Sequence, residues 1–201
     1  MFLLFLCDII IFGEFETFLT QFNNEKTKLQ EKKMKKSKNL TLYLTRGALI
    51  AALYVVMTQL ATLVGLSSGA VQFRISEALC ILPLFFPEAI PGLFVGCLIS
   101  NLLVPGAHVL DIIFGSVATL IGALGAYALR GLPEKFKWVA TLPTILANMI
   151  IVPFVLIFAY GSEDSYLFML LTVGLGETVC AGLGGSAFYY VLKKYDNVWL
   201  K

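Results

Sequence analysis

Three carboxylates, Glu77, Asp111 and Glu177, stand in apolar stretches of this sequence, and two amides, Asn101 and Asn148, share such surroundings. An ionisable group in hydrocarbon costs several kcal/mol, so each is a candidate for binding or for proton and ion relay. With Arg74 as the nearby cation, three acids leave unmatched negative charge. A ligand rich in N–H donors resolves that mismatch, and so does a bound proton or sodium ion. The plainer alternative is that these groups satisfy one another across helices as ordinary interhelical hydrogen bonds.

The elements that must hold them follow from composition. Of 201 residues, 58% are hydrophobic and 14% charged, against roughly 25% charged in an average soluble domain. A soluble sphere of this size cannot hide so much apolar side chain. An all-α integral membrane protein is expected, with six apolar segments at residues 42–65, 75–86, 89–104, 109–129, 138–160 and 166–192. The second and third fall below the roughly 20 residues of a full span. They hold Pro83, Pro87 and Pro91, which predicts short, kinked or tilted helices. A rise of about 1.5 Å per residue puts Glu77 and Asp111 near the outer ends of spans 2 and 4, with Asn101, Asn148 and Glu177 closer to the midplane. All five can then line an outward-facing polar pocket.

Lysine and arginine set the orientation. Of 15 basic residues, eight lie between Lys26 and Arg46, three between Arg130 and Lys137, and three between Lys193 and Lys201. Arg74 alone falls on the opposite side. Six spans therefore predict that both termini are cytoplasmic, with the acidic loop at residues 161–165 outside. Residues 1–12 are apolar but too short to span, and they lack the basic start and cleavage site of a signal peptide. A lysine run surrounds Met34. Residues 1–33 accordingly read as a mis-called or disordered extension, residues 34–201 as the membrane domain, and Met34 as the initiator.

Several function classes are excluded. A net charge of +2 is too small for a nucleic-acid binder. The sequence contains no G-x-x-x-x-G-K-[ST] phosphate loop, so it cannot hydrolyse ATP by the usual route. His108 is the only histidine and the four cysteines form no CxxC pair, so neither a catalytic nor a metal centre is expected and the cysteines read as small buried hydrophobes.

Residues 72–77 join spans 1 and 2 on the outside. Arg74 and Glu77, three apart, suit a local ion pair on one helical face; alternatively the segment is a lid whose Phe73 stacks on a ligand. Small residues recur at helical spacing as Gly47-x-x-x-Ala51 and Ala48-x-x-x-Ala52 in span 1, as Ala118-x-x-x-Gly122-x-x-x-Ala126 in span 4, and as the glycines of span 6. Such stripes let helices approach closely. Internal packing is favoured for spans 4 and 6, while span 1 equally suits a partner protein.

The order of motifs over residues 34–194 resembles the QueT family, S components (substrate-binding subunits) of energy-coupling factor (ECF) transporters. The resemblance is carried by Arg46 to Tyr54, by Val71 to Leu79 with its Phe-Arg-Ile-Ser-Glu-Ala-Leu block, and by Ala89-Ile90-Pro91-Gly92-Leu93. Asn101, Asp111 to Ser116 and Gly176-Glu177 complete it. The first 33 residues depart from the pattern.

The resemblance implies a six-helix S component of the bacterial plasma membrane that captures a queuosine precursor, a 7-deazaguanine base, from outside. It implies docking through Gly47, Ala48, Ala51 and Ala52 on a transmembrane coupling protein and two ABC ATPases. It also implies that this chain is no enzyme and holds no cofactor, ATP being used by the partners. A carboxylate, Glu177 or Asp111, can accept from the N1–H and exocyclic amine of a guanine-like edge, while Asn148 addresses its carbonyl and an aromatic such as Phe73 stacks. Another vitamin or nucleobase-like solute, or a stand-alone proton- or ion-coupled carrier using Glu77, Asp111 and Glu177, are the alternatives.

Overall fold

The computed structural model describes residues 39–65 and 73–194, all helix, turn or loop. The expectations for residues 1–33 and Met34, for Cys7 and for Gln72 lie outside the described residues. The contacts below belong to a compact unit that begins at Leu44.

Six helices follow the apolar segments closely. They are α1 (Asn39–Leu63), α2 (Ile75–Leu84), α3 (Ala89–Leu103), α4 (Val109–Ala128), α5 (Leu142–Tyr160) and α6 (Tyr166–Lys194). A 3₁₀ stretch, Glu134–Thr141, leads into α5. Four of these helices are long and apolar enough to cross a membrane, while α2 and α3 are shorter. Their outward faces carry Leu49, Leu60, Ile121, Phe154, Leu171 and Leu183, the apolar belt that lipid solvates.

The helix ends follow local chemistry. Ser165 caps α6 by accepting from the Phe168 N–H at 3.3 Å, and His108 Nδ1 accepts from Leu110 N–H at the start of α4. Gly161 ends α5 at φ 63°, the left-handed conformation that glycine adopts without strain.

Helix α2 is wound as 3₁₀ over ten residues with Pro83 inside it, and every residue from Ser76 to Pro83 is buried. A rise of about 2.0 Å per residue makes it reach further than an α-helix of equal length. It descends from the middle of the bundle to the lower end, where Phe85 meets Tyr189 of α6 at 5.3 Å between ring centroids. Upper and lower here mean the ends that hold Tyr160 and Lys193 respectively.

Small residues set the helix crossings. A Cβ at Gly92 of α3 would lie 2.6 Å from the Gly47 carbonyl oxygen, and one at Gly96 would lie 2.9 Å from that of Ala51. The Gly47/Ala51 stripe is therefore turned inward against α3, whereas Ala48 and Ala52 are exposed. Gly122 of α4 abuts Thr144 of α5, Gly174 of α6 abuts Met149, and Gly185 abuts the Ala78 carbonyl. The stripes of spans 4 and 6 serve internal packing. Just beyond Glu177, Thr178–Gly184 winds as a π-helix, a local widening frequent at functional sites.

Candidate functional site

Polar side chains fill the interior in two layers. The upper layer is a cavity of about 400 Å³ whose wall includes Thr58, Phe73, Arg74, Asn101, Asp111 and Tyr160, with Val152 and Leu156 of α5 completing an apolar side. Arg74 Nη2 donates to Asn101 Oδ1 at 2.7 Å, and Asn101 Nδ2 donates to the Asp111 carbonyl at 3.4 Å. Tyr160 donates to Asp111 Oδ2 at 3.2 Å while its oxygen accepts from the His108 N–H at 3.0 Å. Among the described residues, neither Arg74 nor Asp111 enters a salt bridge. One cavity thus presents a cation and an anion, each oriented by neutral partners and available to a solute.

Gly115 makes the space for this arrangement. A Cβ there would stand 2.9 Å from Asn101 Nδ2, 3.6 Å from Asp111 Oδ1 and 3.7 Å from Arg74 Nη1.

The lower layer centres on Glu77, which is fully buried. Its Oε1 accepts from the Tyr54 hydroxyl at 2.5 Å and from Thr119 Oγ1 at 3.0 Å, and its Oε2 from Cys80 Sγ at 3.1 Å. Three donors from α1, α4 and α2 compensate the lost hydration of that carboxyl. Thr58 Oγ1 donates to Ser76 Oγ at 2.8 Å, which links this layer to the cavity wall. Asn148 of α5 and Glu177 of α6 lie side by side, 0% and 2% exposed. Among the described residues, both amide atoms of Asn148 and the Oε2 of Glu177 have no partner within hydrogen-bonding geometry.

The cavity brings together Phe73, Arg74, Asn101 and Asp111; Glu77, Asn148 and Glu177 are buried outside its wall. One expectation is sharpened and one corrected. Glu77 does stand in the first turn of α2, the outer end of span 2, but it bonds Thr119, ten residues into α4, so that end lies about 15 Å below the upper end of α4. The chain enters α2 from well inside the bundle, a descent that span counting cannot see. Arg74 and Glu77 form no local ion pair: Arg74 precedes the first turn of α2 as its N-cap residue and bonds Asn101 instead. In the docking stripe, Gly47 and Ala51 are covered by α3, which leaves Ala48 and Ala52 as the accessible pair.

Sequence reasoning passed over Tyr54, Thr58, Thr119 and Tyr160. The spacing of Tyr54 and Thr58, one helical turn apart, was the available signal. Tyr160 looks like an ordinary interfacial aromatic until the fold sets it against Asp111. A larger groove of about 450 Å³ between α4 and α5 is wholly apolar, lined by Phe114, Ile150, Phe154 and Phe158. Those four side chains are about half exposed or more, as lipid-facing residues are.

With four membrane-length apolar helices among the described residues, no strand among them and an interior polar cavity, this is a multi-pass membrane protein built around a solute-sized site. It belongs to the QueT transporter family, whose model matches residues 44–194. It is similar to the queuosine precursor transporter QueT of Lactococcus lactis subsp. cremoris (strain MG1363), at 30% identity over 170 residues that cover 81% of this chain and 98% of the relative. No solved structure matches it.

Proposed function

We propose that this chain is the substrate-capturing S component of an ECF-type importer in the bacterial plasma membrane, and that its solute is a queuosine precursor with a 7-deazaguanine base. In this reading six helices are embedded in the membrane, both termini are cytoplasmic and the cavity faces outward; the basic Arg130, Lys135, Lys137 and Lys193 toward the lower end support that orientation. The reading is carried by the cavity that joins Arg74, Asn101 and Asp111 in a chain of the QueT family. Phe73 offers a ring face for stacking on a flat base. Asp111 accepts hydrogen bonds from donors of the solute, an aminomethyl substituent included where the ligand carries one.

The power stroke belongs to partners in this reading. A transmembrane coupling protein engages the exposed Ala48 and Ala52 of α1, and two ABC ATPases hydrolyse the ATP; the chain itself catalyses nothing and needs neither cofactor nor nucleic acid. Reconstitution of the tagged chain with its coupling module in liposomes tests this. ATP-dependent accumulation of a labelled 7-deazaguanine supports it. Accumulation by this chain alone, driven by a proton or sodium gradient, overturns it in favour of a stand-alone carrier.

A further inference from the structure

The buried amide of Asn148 and the neighbouring Oε2 of Glu177 have no hydrogen-bond partner within bonding geometry among the described residues. Burying such atoms without partners is costly, and together they present one donor and two acceptors. A carboxamide offers its donor and acceptor side by side, whichever way the group is turned. The exposed edge of a 2-amino-6-oxo pyrimidine ring offers the complement: a carbonyl acceptor, a ring N–H and an exocyclic amine.

We infer that Asn148 and Glu177 form the subsite that reads this edge, the amide pairing with the carbonyl and ring N–H, and Glu177 Oε2 accepting from the exocyclic amine. The inference rests on the proposed capture of a 7-deazaguanine. It decides between the two acids: Glu177 takes the base edge, and Asp111, 3.2 Å from the Tyr160 hydroxyl, takes the opposite end of the solute. The placement fits the path. Asn148, Val152 and Leu156 recur at i, i+4 and i+8 on α5, and the latter two line the cavity, so the subsite continues the same helical face one turn, about 5.4 Å, deeper. The π-wound turn after Glu177 re-phases α6 at the residue that needs it.

The test is equilibrium binding of three probes to the full-length wild-type chain and to Glu177→Gln: 7-deazaguanine, 7-deazahypoxanthine without the 2-amine, and 7-deazaxanthine with a 2-oxo group. Wild type is expected to bind 7-deazaguanine on the order of 100-fold more tightly than the other two, since a site built for a hydrogen bond rejects analogues that lack it. Glu177→Gln exchanges one carboxylate oxygen for an N–H donor while keeping the other as an acceptor, and is expected to shift the preference from 7-deazaguanine toward 7-deazaxanthine. Equal wild-type affinity for 7-deazaguanine and 7-deazahypoxanthine overturns the assignment but leaves the capture reading standing, even if the variant does not fold. A folded wild-type chain that binds none of the three overturns both.

Discussion

Arg74 and Asn101, joined at 2.7 Å between Nη2 and Oδ1, fix the top of the cavity by tying the segment that precedes α2 to the end of α3. A cation held by an amide keeps its charge for a solute, whereas a carboxylate partner would neutralise it. The same amide donates onward to the Asp111 carbonyl, so one side chain positions both charged walls.

Asn101→Leu removes that positioning. Solute affinity is expected to fall about 10- to 100-fold, in line with about 1.5–3 kcal/mol for a hydrogen bond to a charged group. Gly115→Ala reaches the same residues by steric means, since its methyl group would stand 2.9 Å from Asn101 Nδ2. Isothermal titration should show both variants weakened, while Gly131→Ala, in open space, binds as wild type. Unchanged affinity in Gly115→Ala would remove Asn101 from the site.

Tyr54→Phe deletes the donor at 2.5 Å from Glu77 Oε1 and leaves the carboxyl with Thr119 and Cys80. A loss of about 1–3 kcal/mol of stability is expected for a buried acceptor deprived of one partner. Thermal unfolding in detergent checks it. A double-mutant cycle with Glu77→Gln should show coupling between the two positions, because they are in direct contact.

The two faces of α1 should respond differently to added bulk. Gly92→Ala drives a methyl group to within 2.6 Å of the Gly47 carbonyl and is expected to lower stability by about 1–3 kcal/mol through overpacking. Ala48→Trp, on the exposed face, is expected to leave folding and solute binding intact while abolishing uptake by the assembled transporter. Normal uptake in that variant would remove the docking surface from the account.

Much of the fold was readable from composition because hydrocarbon requires long, uninterrupted apolar helices; the four long helices begin and end within a few residues of the predicted segments. Glu77 shows where that reading stopped. Its place in the sequence, at the start of a short apolar run, implies the membrane surface, whereas its hydrogen bond to Thr119 sets it deep inside. Depth depends on how the preceding segment runs, and hydropathy carries no record of that. Polar residues in spans flagged the site because their burial is costly, yet the grouping of Phe73, Arg74, Asn101 and Asp111 around one cavity required the packing. The inward turn of Gly47 and Ala51 was hidden for a related reason: a small-residue stripe fits a neighbouring helix of the same chain as well as a partner.

The central claim is capture of a queuosine precursor, and equilibrium binding to the purified full-length chain tests it most directly. Titration with 7-deazaguanine precursors of queuosine, with guanine, riboflavin and biotin as controls, is expected to give saturable binding to a deazaguanine and none to riboflavin or biotin. A folded, monodisperse protein that binds none of the deazaguanines would contradict the claim.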